Sequence, residues 1–436
     1  MQYYSLNKQS PAVDFKEATI RGQAPDKGLY FPERIPAVDR ELIDDIEKYS
    51  NEEIAFRVIQ PYVGDAISAN ELLRIVAETI NFDIPLVQVT NDIYSLELFH
   101  GPTLAFKDVG ARFMSRCLGH FVKNGPSRSG NGKVIVLVAT SGDTGGAVAN
   151  GFYNVEGVEV VILYPSGKVS NVQEKQLTTL GNNIHALEIA GSFDDCQDMV
   201  KKAFADSDLQ QRLFLTSANS INVARWLPQQ FYYFLAWKQW KEKAAPPVVC
   251  VPSGNFGNIC AGLLAHLSGL PVQYFIAACN ANNTVPEFLA TGNYQPKKAV
   301  ATLSNAMDVA NPSNFVRILE LFHQQLGDLK KVLGSCSVSD EQTKATLREV
   351  YNNHHYLTDP HGAVGYYALQ QYLLQHPGLK GIFLETAHPV KFYDVVEPVI
   401  NEKVAVPEAV EAILDLPKKS TRMNADYEQL IQYLLK

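Results

Sequence analysis

The sequence predicts an α/β protein in which doubly wound, mostly parallel sheets are flanked by helices. From about residue 133, short β-branched runs alternate with helical patterns, as in sheets built from strand–helix–strand units. The run at residues 134–139 is continuously apolar, which is typical of a strand buried on both faces of a parallel sheet. A chain of 436 residues is too long for one simple core, so we expect several domains.

The alternating elements follow one another in a regular order. Strands are expected at residues 134–139, 158–163, 184–189, 248–251, 274–279 and 381–385. Helices are expected at residues 144–153, 170–180, 226–240 and 258–267. Gly181 is expected to stop the second of these helices, and Ser192 to begin a further one as its N-cap, with Asp195 three positions on.

Two regions lie outside this alternation. Residues 1–93 are mixed, and residues 406–436 are predicted to be helical and peripheral. A Gly- and Ser-rich segment at residues 124–132 is expected to be a loop. We therefore predict an N-terminal domain at residues 1–93, an α/β region at residues 94–245, and a second α/β region at residues 246–436.

Composition narrows the possible functions. The net charge of −8 is mild and no basic stripe occurs, so nucleic acid is not an expected partner. No apolar leader and no stretch of membrane-spanning length occurs, which predicts a cytoplasmic protein with no membrane partner. The six cysteines are scattered and indicate reduced packing residues. His354, His355 and His361 lack a supporting carboxylate spacing, so no metal is expected.

Two glycine-rich turns are candidates for anion binding. Ser253-Gly-Asn-Phe-Gly257 lies between a predicted strand and a predicted helix, which gathers backbone N–H groups and a helix N-terminus around one point. Ser141-Gly-Asp-Thr-Gly145 repeats the arrangement after the strand at residues 134–139. The turn at residues 253–257, taken alone, is also compatible with an ordinary strand-to-helix turn. Together the two turns predict two anionic groups bound at the carboxyl ends of parallel strands.

Other phosphate-binding patterns fit the sequence less well. Neither turn ends in the Gly-Lys-Ser/Thr of nucleotide triphosphatases, and neither has the full Gly-x-Gly-x-x-Gly of dinucleotide sites. Residues 130–133 resemble a phosphate loop but precede a strand, so they are expected to form a turn.

Lys107 is the candidate for covalent chemistry. It ends the apolar run His100-Gly-Pro-Thr-Leu-Ala-Phe-Lys107, where a lysine is by itself more often a surface residue with an apolar stem. A lysine in a low-dielectric pocket, however, loses its proton readily and can react with an aldehyde. Together with a phosphate-binding turn, this predicts pyridoxal 5'-phosphate as the cofactor.

Two further segments supply polar groups for such a site. Residues 385–389 follow the last predicted strand and contain candidates for a partner of the cofactor ring nitrogen; a simple strand-end turn is the alternative. Residues 217–222, with Arg225 close behind, gather amide, hydroxyl and guanidinium donors suited to a phosphate ester. This segment could instead be a loop that caps the helix at residues 226–240.

The motifs, taken in chain order, resemble those of the threonine synthase family of bacterial and fungal type, within the tryptophan-synthase-β-like, fold type II enzymes that use pyridoxal phosphate. The matching segments lie at residues 28–32, 98–108, 139–145, 217–222, 251–257, 303–308 and 386–389. They span most of the chain. The resemblance implies that the cofactor lies in a crevice between domains and that an extra N-terminal domain is present.

The resemblance also implies roles for individual residues. Lys107 would carry the cofactor and act in catalysis, and Thr386 would bond the pyridine nitrogen. Asp143 would lie near the 3'-oxygen of the cofactor, where many relatives have Asn. The cofactor phosphate would be held by Gly254, Asn255, Phe256, Gly257 and Asn258. The substrate carboxylate would contact Thr140, Ser141, Gly142, Thr144 and Gly145, and the substrate phosphate would contact Asn219, Ser220, Asn222 and Arg225.

The implied reaction converts O-phospho-L-homoserine and water to L-threonine and phosphate, the last step of threonine biosynthesis. A related phospholyase that gives 2-oxobutyrate would need the same residues, and a non-catalytic cofactor-binding relative is a third alternative. The predicted enzyme is a monomer or a homodimer.

Overall fold

The structure is a computed structural model that describes residues 1–124 and 134–436. The loop predicted at residues 124–132 and the turn predicted at residues 130–133 lie outside the described residues, apart from Asn124. The strands are β1 (Gln2–Ser5), β2 (Val13–Asp14), β3 (Tyr30–Pro32), β4 (Leu86–Gln88), β5 (Ile93–Glu97), β6 (Val134–Ala139), β7 (Val158–Pro165), β8 (Ile184–Ala190), β9 (Phe214–Thr216), β10 (Val248–Pro252), β11 (Tyr274–Cys279), β12 (Leu333–Ser337), β13 (Gly381–Glu385) and β14 (Ser420–Asn424).

The α-helices alternate with these strands over most of the described residues. They are α1 (Phe15–Arg21), α2 (Arg40–Asp44), α3 (Asn51–Val63), α4 (Ala69–Thr79), α5 (Lys107–Lys123), α6 (Asp143–Phe152), α7 (Asn171–Thr178), α8 (Phe193–Ala205), α9 (Ser207–Arg212), α10 (Val223–Trp226), α11 (Gln230–Gln239), α12 (Gly257–Leu267), α13 (Thr284–Thr291), α14 (Phe315–Leu321), α15 (Leu326–Val332), α16 (Asp340–His354), α17 (Pro360–Gln375), α18 (Tyr393–Ile400), α19 (Glu408–Leu414) and α20 (Tyr427–Leu434). Short 3₁₀ turns join several of them, including the one at Pro389–Phe392.

The predicted α/β class is confirmed, with three sheets. A five-stranded parallel sheet has the order β14-β8-β7-β6-β9, and a six-stranded sheet has the order β12-β11-β10-β13-β5-β4, in which only β4 is antiparallel. A small antiparallel sheet, β2-β1-β3, lies in the N-terminal part. All six predicted strands are present, and their starting residues agree with the prediction.

Local sequence signals explain why the helices begin where they do. Ser192 caps α8 by accepting from the Asp195 N–H, and Asp195 bonds back to the Ser192 N–H, as the capping-box pattern predicted. Ser170 caps α7 in the same way with Gln173. These reciprocal bonds satisfy N–H groups that the first turn of a helix otherwise leaves without partners.

Two predicted helical segments are wrong in part. Residues 406–436 contain the strand β14, which pairs in parallel with β8, and Leu430 of α20 is fully buried, so this end of the chain is not only peripheral helix. The helix predicted at residues 226–240 is divided into α10, a 3₁₀ turn at Leu227–Gln229 and α11, because Pro228 in that turn has no N–H to continue an α-helix.

The two large sheets exchange strands along the sequence. Strand β5 belongs to the six-stranded sheet, although the rest of residues 94–245 builds the other one, and β14 near the end of the chain joins the five-stranded sheet. The predicted division at residues 93 and 245 therefore stays a proposal. Strands β5, β6, β10 and β13 place the motif segments at their carboxyl ends, where α/β proteins bind ligands.

Candidate functional site

The turn before Lys107 is paired with the segment that follows β13. Phe106 N donates to Thr386 O at 2.9 Å, and His388 N donates to Leu104 O at 3.0 Å. Lys107 is the first residue of α5. The backbone pairing therefore fixes Lys107 beside Thr386, although 279 positions separate the two in the numbering, from 107 to 386.

Lys107 is held in a site largely closed to solvent. Its side chain is 18 % exposed, and Nζ lies 3.4 Å from Asp143 Oδ2. Burial lowers the pKa of Lys107, the Asp143 carboxylate opposes this effect, and the positive charges of Lys391 and Arg225 lower it further. The net direction is downward, which favours a neutral amine, the form that attacks an aldehyde.

Asp143 is the charged centre of this site. Its side chain is 5 % exposed; Lys391 Nζ lies 2.9 Å from Oδ1, and Gln173 Nε2 donates to the same oxygen at 2.9 Å. Burial raises the pKa of Asp143, but the charges of Lys391 and Lys107 outweigh burial and hold that pKa well below its usual range. Asp143 is therefore a negatively charged carboxylate in this site.

The Thr140 side chain holds the conformation of the glycine-rich turn at residues 141–145. Thr140 Oγ1 accepts from Gly142 N at 3.0 Å and from Gly145 N at 2.8 Å, which folds the turn over the end of β6. Gly142 has a φ of +141°, and an added Cβ would lie 2.6 Å from the Gln173 side chain, so a larger residue would displace the Asp143 partner. Ser141 at the tip is exposed.

The turn at residues 253–257 has the form of an anion-binding site. Phe256 is in the left-handed region with a φ of +60° and precedes α12, so consecutive N–H groups turn toward one side. Asn258 Nδ2 is buried without a hydrogen-bond partner among the described residues. An unsatisfied buried donor at a helix N-terminus fits the phosphate of pyridoxal phosphate.

Residues 217–225 contact this turn directly. Asn255 Nδ2 donates to Ser220 Oγ at 2.6 Å, so the predicted cofactor-phosphate and substrate-phosphate groups form one network. Asn222 caps α10 by accepting from Ala224 N, and its amide donates to Thr19 O and Ser217 O. Asn222 is fully buried, and its contact with the substrate phosphate stays a prediction.

Arg225 and the exposed part of this segment remain available to the site. Burial lowers the pKa of Arg225 to about 10, and its Nε has no hydrogen-bond partner among the described residues. Arg225 packs against Gly110 of α5, one turn after Lys107. Asn219 and Ser220 are partly exposed.

Next to Thr386, the site contains a buried carboxylic acid. Glu385 is fully buried at the end of β13, and burial, with the nearby charge of Asp359, raises its pKa well above its usual value. Its Oε1 accepts from Asp359 N at 2.5 Å. The Glu385 carboxyl lies against Gly362 of α17.

Four residues around the site were not predicted from the sequence: Lys391, Gln173, Asn314 and Arg317. Asn314 Nδ2 donates to Ser220 Oγ at 3.1 Å, and Arg317 donates to Ser220 O at 3.2 Å. Lys391 lies two residues after the motif at residues 386–389, and Arg317 interrupts the apolar run of α14; a charged residue inside a buried pattern is the signal that could have identified both. Gln173 and Asn314 carry no such signal, because a polar residue near a helix start is usually a surface or capping residue.

The described residues contain neither a metal-binding cluster nor a membrane-spanning helix. Within residues 1–124 and 134–436, no group of three or more His, Cys, Asp or Glu side chains could hold a metal ion. None of the helices in those ranges is long and apolar enough to cross a membrane. The expectation of a metal-free enzyme stays a prediction.

Sequence families agree with this geometry. Residues 83–381 match the family described as pyridoxal-phosphate dependent enzyme. The flanking regions match families described as threonine synthase N terminus at residues 2–80 and threonine synthase, C-terminal, at residues 362–434. The chain is a fold type II enzyme that uses pyridoxal phosphate.

Full-length relatives define the family further. The threonine synthase of Serratia marcescens is 44 % identical over 100 % of this chain and 99 % of its own length. The Escherichia coli threonine synthase structure has a TM-score of 0.91 at 44 % identity, covering 100 % and 99 % of the two chains. The PLP-bound Brucella melitensis threonine synthase has a TM-score of 0.93 at 33 % identity, with the same coverage. This chain belongs to the threonine synthase family.

Proposed function

We propose that this protein converts O-phospho-L-homoserine and water to L-threonine and phosphate, the last step of threonine biosynthesis. The observation that carries the proposal is the placement of Lys107, buried and 3.4 Å from Asp143 of one glycine-rich turn, with the second glycine-rich turn at the end of β10, next to β13 in the six-stranded sheet. The relatives that match over full length support it. A monomeric or homodimeric state, a cytoplasmic location and the lack of a nucleic-acid partner stay predictions.

Pyridoxal phosphate, when bound, supplies an electron sink for negative charge that develops at the substrate carbons. In our proposal the residues at 254–258 hold its phosphate, through backbone N–H groups, the α12 N-terminus and Asn258 Nδ2. Thr386 presents its hydroxyl to the ring nitrogen, and Lys107 is the attachment point. Asp143 lies beside the Lys107 nitrogen as a fixed negative charge.

The substrate carboxylate and phosphate would occupy opposite sides of Lys107. Thr140, Ser141, Gly142, Thr144 and Gly145 form the turn proposed for the carboxylate. Asn219, Ser220 and Arg225 are proposed to face the phosphate, and the unpartnered Arg225 Nε supports this. With the substrate carboxylate and phosphate bound on opposite sides, Cα, Cβ and Cγ of the substrate would lie within reach of the Lys107 amine.

The proton transfers are assigned to Lys107. As a neutral amine it takes the proton from Cα of the substrate, and it then moves protons at Cβ and Cγ while the γ-phosphate departs with its bridging oxygen. Water adds at Cβ, and a proton returns to Cα. The departing phosphate is a second base close to Cβ, so it is proposed to assist the addition of water.

Replacing Lys107 tests the central assignment. Lys107→Ala is expected to reduce threonine formation by about 10³-fold or more, because both the attachment point and the proton carrier are lost. It should also remove the absorbance of lysine-attached cofactor. Lys380→Ala is the matched control: Lys380 pairs with Glu242 at the opposite end of β13. Threonine formation at the wild-type rate by Lys107→Ala would contradict the role assigned to Lys107.

The rival phospholyase reaction would use the same residues and release 2-oxobutyrate and ammonia. Identification of the organic product after incubation with O-phospho-L-homoserine separates the two. A cofactor-loaded sample that releases neither phosphate nor product would instead support a non-catalytic relative.

A further inference from the structure

Lys391 is a fully buried lysine with specific partners. Its side chain is 0 % exposed, its Nζ lies 2.9 Å from Asp143 Oδ1, and it donates to Thr103 O at 2.8 Å. Lysine is almost never fully buried unless it is paired, because desolvation of the ammonium group is costly. The 3₁₀ turn that follows Pro389 places it there, directly after the segment that pairs with the Lys107 turn.

The two carboxylate oxygens of Asp143 contact two different lysines at unequal distances. Oδ1 receives the short contacts from Lys391 and Gln173, whereas Oδ2 faces Lys107 at 3.4 Å. Charge-assisted N–H···O bonds are usually about 2.7–2.9 Å long, so the contact with Lys107 is the weaker one. Lys391 thus neutralises a carboxylate that would otherwise bind the Lys107 proton tightly.

The second contact of Lys391 anchors the turn that carries Lys107. Thr103, whose carbonyl accepts from Lys391, also donates through N to Asp108 Oδ2 at 2.9 Å. Leu104, between these contacts and Lys107, has a φ of +56°, a conformation that non-glycine residues adopt only when their surroundings impose it. One ammonium group therefore fixes both the carboxylate beside Lys107 and the turn before it.

We propose that Lys391 is a positioning residue for Lys107: it holds Oδ1 of Asp143, so that only the more distant Oδ2 faces the Lys107 amine. This inference rests on the proposed role of Lys107 and deepens it. Lys391 itself does not touch the reacting atoms in this assignment. The same pair accounts for a charged Asp143 inside a buried site, since Lys391 supplies the balancing charge.

The charges around Lys107 and Lys391 determine in which direction the pKa of Lys107 moves when Lys391 is replaced. The charged groups that face Lys107 are Asp143 from α6, Lys391 from the 3₁₀ turn and Arg225 from α10. Those that face Lys391 are Asp143, Lys107, Asp108 and His388. Removal of Lys391 subtracts a positive charge near Lys107 and leaves Asp143 uncompensated, so both effects strengthen the hold on the proton.

The test is a pH titration of the cofactor absorbance in the holoenzyme. In Lys391→Met, the midpoint of the absorbance change is expected to move up by about one pH unit. Lys391→Arg keeps the charge and should restore the wild-type midpoint in part. Lys380→Met is the matched control, since it breaks a lysine pair at the other end of β13 and should leave the midpoint unchanged.

A second pair of variants keeps the proposal testable if Lys391→Met does not fold. Asp143→Asn should lower the midpoint, and the double variant Asp143→Asn/Lys391→Met should return it above that of Asp143→Asn. An unchanged or lowered midpoint in Lys391→Met, or a double variant no higher than Asp143→Asn, overturns the proposal. Threonine formation by the wild-type protein, measured in parallel, shows separately whether the proposed function fails.

Discussion

At the scale of single residues, the site depends on close packing around the turn at residues 253–257. Gly254 lies against the segment that contains Met307, and a Cβ at position 254 would meet Met307 Cα at 2.6 Å. Real side chains do not approach backbone atoms so closely, so a substitution there must displace one of the two segments. The turn and the segment at residues 304–308 therefore support each other.

Gly254→Ala should weaken cofactor binding. If the displacement of the turn costs about 1–3 kcal/mol, the affinity for pyridoxal phosphate falls by about 5- to 150-fold. Titration of the cofactor-free protein with pyridoxal phosphate measures this. Gly327→Ala is the matched control, since a Cβ at position 327 meets nothing within 4 Å. Equal affinities for the two variants would contradict the packing argument.

At the scale of elements, apolar and capping patterns were enough to predict the buried parallel strands. The run Val248–Pro252 is buried at every position. A short, continuously apolar run of this kind is typical of a strand in a parallel sheet that is covered on both faces. Strand β14 was not predicted, because its sequence, Ser-Thr-Arg-Met-Asn, is mostly exposed and shows no alternation of apolar and polar residues. Its backbone pairs with β8 at a sheet edge, and that register is a tertiary contact which no local pattern encodes.

The end of the chain is expected to contribute to stability through α20. Leu430 is fully buried in the cluster beneath β8 and α8, and Leu430→Ala should lower the free energy of unfolding by about 2–5 kcal/mol. Chemical denaturation measures the change. Leu374→Ala, at a position 70 % exposed, should change it by less than about 0.5 kcal/mol. Similar losses for both variants would show that this end of the chain is not part of the core.

The sequence predicted only those parts of the candidate site that lie in continuous motifs of the chain. The two glycine-rich turns and Lys107 follow strands, so their shared edge could be inferred from chain order. The long-range partners could not, because Lys391 and Asp143 meet across 248 positions, from 143 to 391, and their charges are matched only in the folded chain. The bond from the Asn222 amide to Thr19 O was hidden for the same reason, because Thr19 lies in the N-terminal part of the chain.

At the scale of the whole molecule, one arginine ties the N-terminal part to the site. Arg317 is fully buried and stacks on the Trp226 ring, with its guanidinium carbon 4.4 Å from the centroid. It donates to Tyr30 O at 3.0 Å, to Ile221 O at 2.6 Å and to Asn314 Oδ1 at 2.7 Å. Burial lowers its pKa to about 10. The N-terminal sheet is thus coupled to the segments around the phosphate-binding turn.

The account as a whole is tested most directly by following the fate of water in the reaction. The purified holoenzyme is incubated with O-phospho-L-homoserine in ¹⁸O-enriched water, and the products are identified by mass spectrometry. We expect equal amounts of threonine and phosphate, with one ¹⁸O in the threonine hydroxyl and none in the phosphate, because the C–O bond breaks and water adds at Cβ. Formation of 2-oxobutyrate and ammonia, or of homoserine with labelled phosphate, would contradict the account.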